Sequence, residues 1–565
     1  MWARFRASLD RDTVAFPGLV MGALILSLPN LLTVFWPHFA QRQAETFLMG
    51  MGIIMLPCVF SVSVRTTLRL WMPFAILIPA TIIYSVVTEN PLREWAFVVF
   101  METDWRELER FWYGAIAALL LGPLAVWLFW RFISKHAVYS HWLGWASRTL
   151  ILLFALIIPL SYYVRAGWEF GGMITQRKMS TAFPIGIVVS AWSAWNIRHK
   201  LEDRSNIAHD VTVRETSSAP REVYVLVIGE SARFGSFQIN GYERETTPLL
   251  AKTQELLSFQ DVIAPATVTL MSVPLLLTPA TAVHLGHASS MPSVVSIFKK
   301  AGFHTAWLST QKKHGMYDTS CSIYSNDADE SHFFSGNFAP GSGLYSSAYD
   351  GDLLQPVRDL LARNDSKLFI VLHTMGSHQH YCDRFPHAYN HFPCDLARYH
   401  GSFLTGTFNA EQQRNLSNAY DNSILYTDWV LSQLIESLNA AHAVSALYYV
   451  SDHGQNKGDA PVLPFAHGNV TPDVLHVPLL VWLSPEYRAQ RTEQTQALQS
   501  HLRTPFSADT TFHSLLDIAG LECSLLDRRQ SAASKQFTPG PRMVRDLEGA
   551  LLNYDEMTSR TVGAP

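Results

Sequence analysis

Long apolar runs crowd the first third of the chain and are missing beyond it. Residues 14–36, 46–64, 70–88, 111–130 and 149–164 are almost free of charge. Each approaches the roughly 20 residues that a helix needs to cross a bilayer. Such runs in succession predict membrane spans rather than buried helices of a large soluble protein. No small-residue cleavage site follows the first run to make it a signal peptide. Arg4, Arg6, Arg11, Arg65, Arg69, Arg131, Lys135 and Arg148 flank the spans on one side. Arg42, Arg93, Arg106 and Arg110 lie on the other, the last three beside acids. The positive-inside rule therefore puts the amino terminus in the cytoplasm. Five spans then put everything after residue 165 outside, which in a two-membrane bacterium is the periplasm.

Residues 184–195 are apolar and Trp-rich but too short to span. They predict an interfacial linker over 167–220 whose helical parts lie on the membrane surface. A sixth span there would instead return the rest of the chain to the cytoplasm. From residue 221 the pattern changes. Short apolar runs at 223–228, 304–308, 368–372, 446–450 and 477–482 alternate with helical stretches such as 291–301 and 417–438. This alternation predicts a mostly parallel sheet covered on both faces. The expected organisation is a five-span membrane domain over 1–166, a linker over 167–220 and an α/β domain over 221–565.

Composition narrows this only a little. The net charge of −4 favours no partner, and without a basic stripe or RNA motif nucleic acid is excluded as a target. Of the five cysteines, Cys58 falls inside a span as apolar filler. Cys382 and Cys394 bracket a short loop that a disulfide could close. Cys321 and Cys523 are far apart in sequence.

The chemistry gathers just past the strands. Asp452-His453-Gly454 ends the fourth, Gly229-Glu230-Ser231 the first, and the third runs through His373 to His378. His467 follows in a further Gly-containing loop. In open α/β sheets, ligands collect at the carboxyl ends of strands. Carboxylate and imidazole together suit zinc or manganese, zinc being the better match. Thr269 stands where a helix begins, so its hydroxyl would feel the positive end of the dipole as a nucleophile beside phosphate, or would only cap the helix.

Gly229-Glu230-Ser231-Ala232-Arg233, Gly241-Tyr242-Glu243-Arg244-Glu245-Thr246-Thr247-Pro248, Thr267-x-Thr269-x-x-Ser272-Val273-Pro274, Met375-Gly376-Ser377-His378, Tyr420-Asp421-Asn422-Ser423 and Ser451-Asp452-His453-Gly454 occur in this order. With the spans before them, they resemble the bacterial phosphoethanolamine transferases of the alkaline phosphatase and sulfatase superfamily. That resemblance implies a multi-pass α-helical membrane domain joined to a sulfatase-like α/β domain, held in the bacterial inner membrane with the catalytic domain in the periplasm. It implies zinc ligation by Glu230, Thr269, Asp452 and His453, with Thr269 also the nucleophile. By the same resemblance His378 and His467 are catalytic and bind the phosphate group or a second metal. Thr267 matches a phosphate contact, and Lys313 or His314 a polar substrate contact.

Two departures qualify the resemblance. Gln455 stands where many members carry Glu, which argues for one zinc rather than two. The Cys pair typical of the lipid A branch is replaced near the nucleophile by Ala264 and Leu275, which points to the lipopolysaccharide-core or periplasmic-glucan branch. The implied reaction moves phosphoethanolamine from phosphatidylethanolamine onto Thr269, releasing diacylglycerol, then onto lipopolysaccharide or a periplasmic glucan. Protonated His378 and His467 are expected to neutralise the phosphoryl oxygens. The alternatives are a phosphoglycerol transferase acting on glucans and a silent membrane-anchored lipopolysaccharide-binding protein. A sulfatase is excluded, since Thr269 cannot become formylglycine. The acceptor, disulfide pairing, oligomeric state and regulation are not encoded in these motifs.

Overall fold

In the computed structural model the described residues are 15–35, 43–60, 62–88, 112–135, 142–204, 210–215, 219–311, 313, 319–334, 348–363, 365–394, 409–457, 467–546 and 549–562, with 92, 97 and 207 standing alone. His314 lies outside them. Two compact units divide the chain, Met1–Lys200 and Leu201–Pro565.

The first unit is helical through the described parts of the apolar runs, apart from residues 27 and 62–63. Its helices include Leu28–Phe35, Gln43–Met55, Val64–Trp71, Ile78–Thr88, Trp112–Lys135 and Trp145–Met179. Among the described residues, Val64–Ile83 and Trp145–Val164 are long and apolar enough to cross a membrane. Shorter apolar helices cover Ala15–Leu26, Ala44–Phe60 and Ile185–Trp195. Leu153, Ile157, Leu160 and Val164 are 61%, 65%, 61% and 79% exposed. Their spacing puts them on one helix face. A stripe of large apolar side chains left uncovered belongs against lipid.

The region 167–220 differs from the linker expected there. The Trp145–Met179 helix continues past residue 167 without a break, and Ile185–Arg204 forms another helix. Val213–Glu215 pairs antiparallel with Leu521–Cys523, so a piece of the expected linker is part of the second unit. Periodicity cannot show this, because three residues, two half-buried and one exposed, carry no strand signal of their own.

The second unit is built on a seven-stranded sheet. Its strands are β1 (Glu222–Gly229), β2 (Leu256–Phe259), β3 (His304–Ser309), β4 (Glu330–Phe333), β5 (Lys367–His373), β6 (Val444–Ser451) and β7 (Leu479–Leu483). They lie in the order β2-β7-β6-β1-β5-β3-β4. All pairs among β6, β1, β5, β3 and β4 are parallel, whereas β7 runs antiparallel to both β6 and β2. Strand alternation feeds two cores. Tyr224, Leu226 and Ile228 of β1 join one with Val273, Leu276 and Phe298. Val223, Val225 and Val227 join the other with Leu354, Leu431 and Leu434. Helices Thr269–Leu277 and Val294–Lys300 thereby cover one face, and Leu354–Ala362 and Ala410–Ala440 the other.

Register levels the strand ends. Gly229 pairs with Ser451, Ile228 with His373, and Ser309 with His373. The residues that leave the sheet next, Glu230, Asp452, Thr374 and Thr310, emerge side by side.

Candidate functional site

The turn after β1 is tightly held. Ser231 has φ 57°, a left-handed conformation rare for a residue with a Cβ. It is fixed from three directions. Its N–H donates to Asp452 Oδ1 at 3.2 Å, its carbonyl accepts from Tyr420 Oη at 2.8 Å, and its hydroxyl donates to Glu230 Oε1 at 2.6 Å. Gly376, φ 49°, passes so close that a Cβ there would lie 2.6 Å from the Glu230 carbonyl oxygen. These constraints aim the Glu230 carboxylate at the end of β6.

There it meets Asp452 and His453. One ligand atom from each of Glu230, Asp452 and His453 lies within 4.8 Å of the others, and all three residues are buried. Thr269, the first residue of its helix, places Oγ1 3.0 Å from Glu230 Oε2 and 3.1 Å from His453 Nε2. Ser272, one turn on, donates to the Asp452 carbonyl at 2.5 Å and ties that helix to the strand end. His453 Nδ1 faces the Gly454 carbonyl at 2.8 Å and must donate there, so the Nε2 lone pair turns toward Thr269. Asp452 Oδ1 accepts from the His453 N–H at 2.7 Å, while Oδ2 is shut from water with no partner.

The electrostatics describe a dry, negatively charged place. Burial and the neighbouring Asp452 charge push the Glu230 carboxyl above its ordinary range. Burial would pull His453 down, but Asp452 and Glu230 hold it above its ordinary value. Two buried carboxylates, one with an unpartnered oxygen, and a correctly turned imidazole fit a zinc ion, with Thr269 Oγ1 as fourth donor.

The other expected residues separate. His467 stacks near His453 with ring centroids 4.2 Å apart, and its centroid is 6.4 Å from that of His378. Burial lowers the pKa of both His378 and His467. Burial thus works against the protonated state expected of both rings from sequence. Gln455 Nε2 donates to Tyr381 Oη at 2.7 Å, so its Oε1 accepts from His467 Nδ1 at 3.0 Å and leaves His467 Nε2 a bare acceptor. Thr267 is buried and donates to the Gly468 carbonyl at 3.0 Å, which makes it a brace for the His467 loop. Lys313 is half-buried. Cys382 and Cys394 lie with Sγ atoms 3.8 Å apart, and none of the five cysteines, all among the described residues, is in a disulfide.

Sequence reasoning missed Ser231, Ser272, Gln311 and Tyr381. Gln311 Nε2 lies 3.3 Å from Glu230 Oε2 and donates to the Thr374 carbonyl at 2.9 Å. Ser231 and Ser272 stand inside the quoted motifs without a role having been read for them, and no local pattern marks Gln311 or Tyr381, because each acts across a tertiary contact. Only Gln455, beside the Asp-His pair, carried a signal.

The Sulfatase family model matches residues 222–521. Phosphoethanolamine transferase EptC of Escherichia coli (strain K12) is 28% identical over 352 residues, 61% of this chain and 59% of that protein. The chain thus matches less than two thirds of the EptC relative's length. Phosphoethanolamine transferase EptA of Escherichia coli O157:H7 is 24% identical over 484 residues, 83% of this chain and 82% of that protein. Among solved structures, the zinc complex of the C-terminal periplasmic domain of EcEptC from Escherichia coli aligns with TM-score 0.53 and 27% identity, covering 61% of this chain and 96% of that one. The integral membrane lipooligosaccharide phosphoethanolamine transferase A of Neisseria meningitidis aligns with TM-score 0.51 and 20% identity over 92% of this chain and 97% of that one, a likeness of fold.

Proposed function

The chain belongs to the sulfatase family, and from that premise we propose that it transfers phosphoethanolamine from phosphatidylethanolamine, through Thr269, to lipopolysaccharide or a periplasmic glucan. The observation that carries the reading is the Thr269 hydroxyl 3.0 Å from Glu230 and 3.1 Å from His453, at a helix start. Relatives named as phosphoethanolamine transferases supply the group transferred. A membrane unit before the catalytic unit suits a lipid donor. In this reading five spans fix the chain in the inner membrane, with the second unit in the periplasm.

Glu230, Thr269, Asp452 and His453 would hold one zinc ion, which supplies positive charge beside the Thr269 hydroxyl and the phosphoryl oxygens. Thr269 Oγ1 bonds to phosphorus as the phosphorus–glyceryl oxygen bond breaks. The Thr269 proton leaves toward the carboxylate side of the site and passes to the glyceryl oxygen, so that diacylglycerol departs as the alcohol. An acceptor hydroxyl then displaces Thr269 from phosphorus. His467, oriented by Gln455 with Nε2 bare, takes the proton of that hydroxyl. Neutral His378 and His467 serve as base or hydrogen-bonding partners rather than as countercharges.

The test is intact-mass analysis of the detergent-purified protein incubated with fluorescent phosphatidylethanolamine. One phosphoethanolamine added to the wild type, released diacylglycerol, and neither in Thr269→Ala is the expected outcome. No adduct and no diacylglycerol with zinc bound would sink the donor assignment, and an adduct with phosphatidylglycerol alone would make it a phosphoglycerol transferase.

A further inference from the structure

Residues 419–424 of the helix Ala410–Ala440 are buried without a gap. A helix that covers one face of a sheet ordinarily keeps its outer side wet. Here four of the buried residues are polar, Tyr420, Asp421, Asn422 and Ser423, and in succession they take in most of a turn. Polar side chains buried in this way need partners. Each finds one outside its own helix. The Tyr420 hydroxyl donates to the Ser231 carbonyl at 2.8 Å and accepts from the Arg233 N–H at 2.9 Å, gripping the turn that carries Glu230. Its ring meets that of Tyr381 edge-on, with centroids 5.2 Å apart. Asp421 accepts from Tyr242 Oη at 2.9 Å and from Arg244 Nη1, and its other oxygen pairs with Lys457, two residues past Gln455. Asn422 brackets the Phe392 backbone, accepting from its N–H and donating to its carbonyl, each at 2.8 Å. The Ser423 hydroxyl lies 2.8 Å from that of Ser377, whose N–H donates to the Glu230 carbonyl at 2.9 Å.

The grip on Glu230 is indirect. Ser231 beside it keeps a left-handed conformation, which lasts only where the surroundings over-determine it. The Tyr420 hydroxyl is one of the three groups that do so. Loops on their own hold ligands loosely, and a site gains precision when a rigid element fixes them. This helix reaches the loops of Glu230, His378 and Gln455 at once. The arrangement also gives a task to the motifs at 241–248 and 420–423, which hold none of the metal ligands. Tyr242 and Arg244 of the first meet Asp421 of the second.

We propose that the helical turn 420–423 positions the Thr269 site, Tyr420 and Ser423 setting the zinc ligand Glu230 and Asp421 setting the loop of Gln455. These side chains act through other residues and are positioning residues. The inference rests on the reading of Glu230, Thr269, Asp452 and His453 as a zinc site. Zinc affinity, read without turnover, tests it apart from transfer.

The experiment measures the zinc Kd of the full-length protein in detergent by competition with a chelator of known affinity. Tm and kcat are measured beside it for wild type, Tyr420→Phe, Ser423→Ala, Asp421→Asn and Leu438→Ala. Leu438 is buried in the same helix, about 27 Å along it from Tyr420, and reports a packing loss away from the site. Tyr420→Phe should raise the zinc Kd about 10–100-fold, and Ser423→Ala about 10-fold. Asp421→Asn should lower kcat about 10-fold with the zinc Kd unchanged, because its tie runs to Lys457 and not to Glu230. Leu438→Ala should lower Tm alone. If Tyr420→Phe does not fold, Ser423→Ala decides. A zinc Kd in Tyr420→Phe that equals the wild-type value, or shifts no more than in Leu438→Ala or Asp421→Asn, overturns the proposal and leaves the turn as packing. An Asp421→Asn variant with full kcat overturns it as well. A wild type that binds no zinc defeats the zinc reading and this inference with it. Zinc binding that weakens in Tyr420→Phe, in a protein that transfers nothing, leaves this proposal standing and defeats the transferase reading.

Discussion

Replacing Asp452 with Asn should make the protein more stable than wild type without metal and less stable than wild type with zinc bound. The side chain keeps its shape. Oδ1 can still accept from the Ser231 and His453 N–H groups at 3.2 and 2.7 Å. What changes is Oδ2, buried without a partner 3.4 Å from His453 Nε2. Without metal, Asp452 and Glu230 are two buried carboxylates with ligand atoms no more than 4.8 Å apart. At an effective dielectric of about 20, that repulsion is about 3 kcal/mol. Burial first and this repulsion second hold the Glu230 carboxyl above its ordinary range, and the neighbouring His453 works against both. The Asn variant should therefore be more stable than wild type in chelator at pH 7, by about 1–2 kcal/mol. Because the folded Glu230 holds its proton above the ordinary carboxylate range, this advantage grows as pH rises through that range and fades in acid. Zinc at ~100 times its Kd adds about 2.7 kcal/mol to the wild type, and the variant, short of one charged ligand, gains little. For a unit of this size each kcal/mol moves Tm by about 1–2 °C. Calorimetric melting in chelator and in zinc, with elemental analysis for bound metal, reads both halves. An Asn variant that melts lower than wild type in chelator, or gains the same shift in zinc, would refute the charge argument.

Gln455→Leu removes the acceptor of His467 Nδ1–H and the donor to Tyr381. It should lower kcat about 10–100-fold with zinc content unchanged, as steady-state kinetics and elemental analysis would show. His513 is 2% exposed, its Nδ1 accepts from the Asp527 N–H at 3.2 Å, and burial lowers its pKa to about 4. The folded state therefore refuses a proton that the unfolded chain accepts near pH 6.5, so stability is full above that pH and is lost as pH falls toward 4. Between pH 7 and 5 the loss should be about 2 kcal/mol, and His513→Gln should flatten that slope in calorimetry.

The five strands read from sequence are those buried on both faces, where continuous apolar runs speak for themselves. Each appears within two residues of its expected bounds at both ends. The two missed strands are the sheet edges. Leu256–Phe259 alternates half-buried and buried positions, and Glu330–Phe333 is largely polar and half-buried, so neither has an apolar run. The antiparallel direction of Leu479–Leu483 was equally hidden, because a fully buried strand looks the same read either way. At the site, Glu230, Asp452 and His453 were legible because each directly follows a strand, and strand ends are where an α/β fold collects chemistry. Gln311 and Tyr381 were not, because each reaches the site only through a tertiary contact.

Gln455 shows how one atom changes what a loop can do. A carboxylate there would add a third negative charge beside Glu230 and Asp452 and could serve as a further metal ligand. The amide spends its nitrogen on Tyr381 and turns its oxygen to His467, and it brings no negative charge for a cation. In the one-zinc reading, that ion balances Glu230 and Asp452, so the metal cluster arrives at the substrate close to neutral. The same amide holds His467 as a neutral ring with Nε2 open, a state suited to accepting a proton and unsuited to holding an anion. Gln455→Glu should change that state of His467. A carboxylate facing His467 Nδ1 would favour the protonated ring, raise the pH at which His467 can act as a base, and shift the acidic limb of the kcat profile upward.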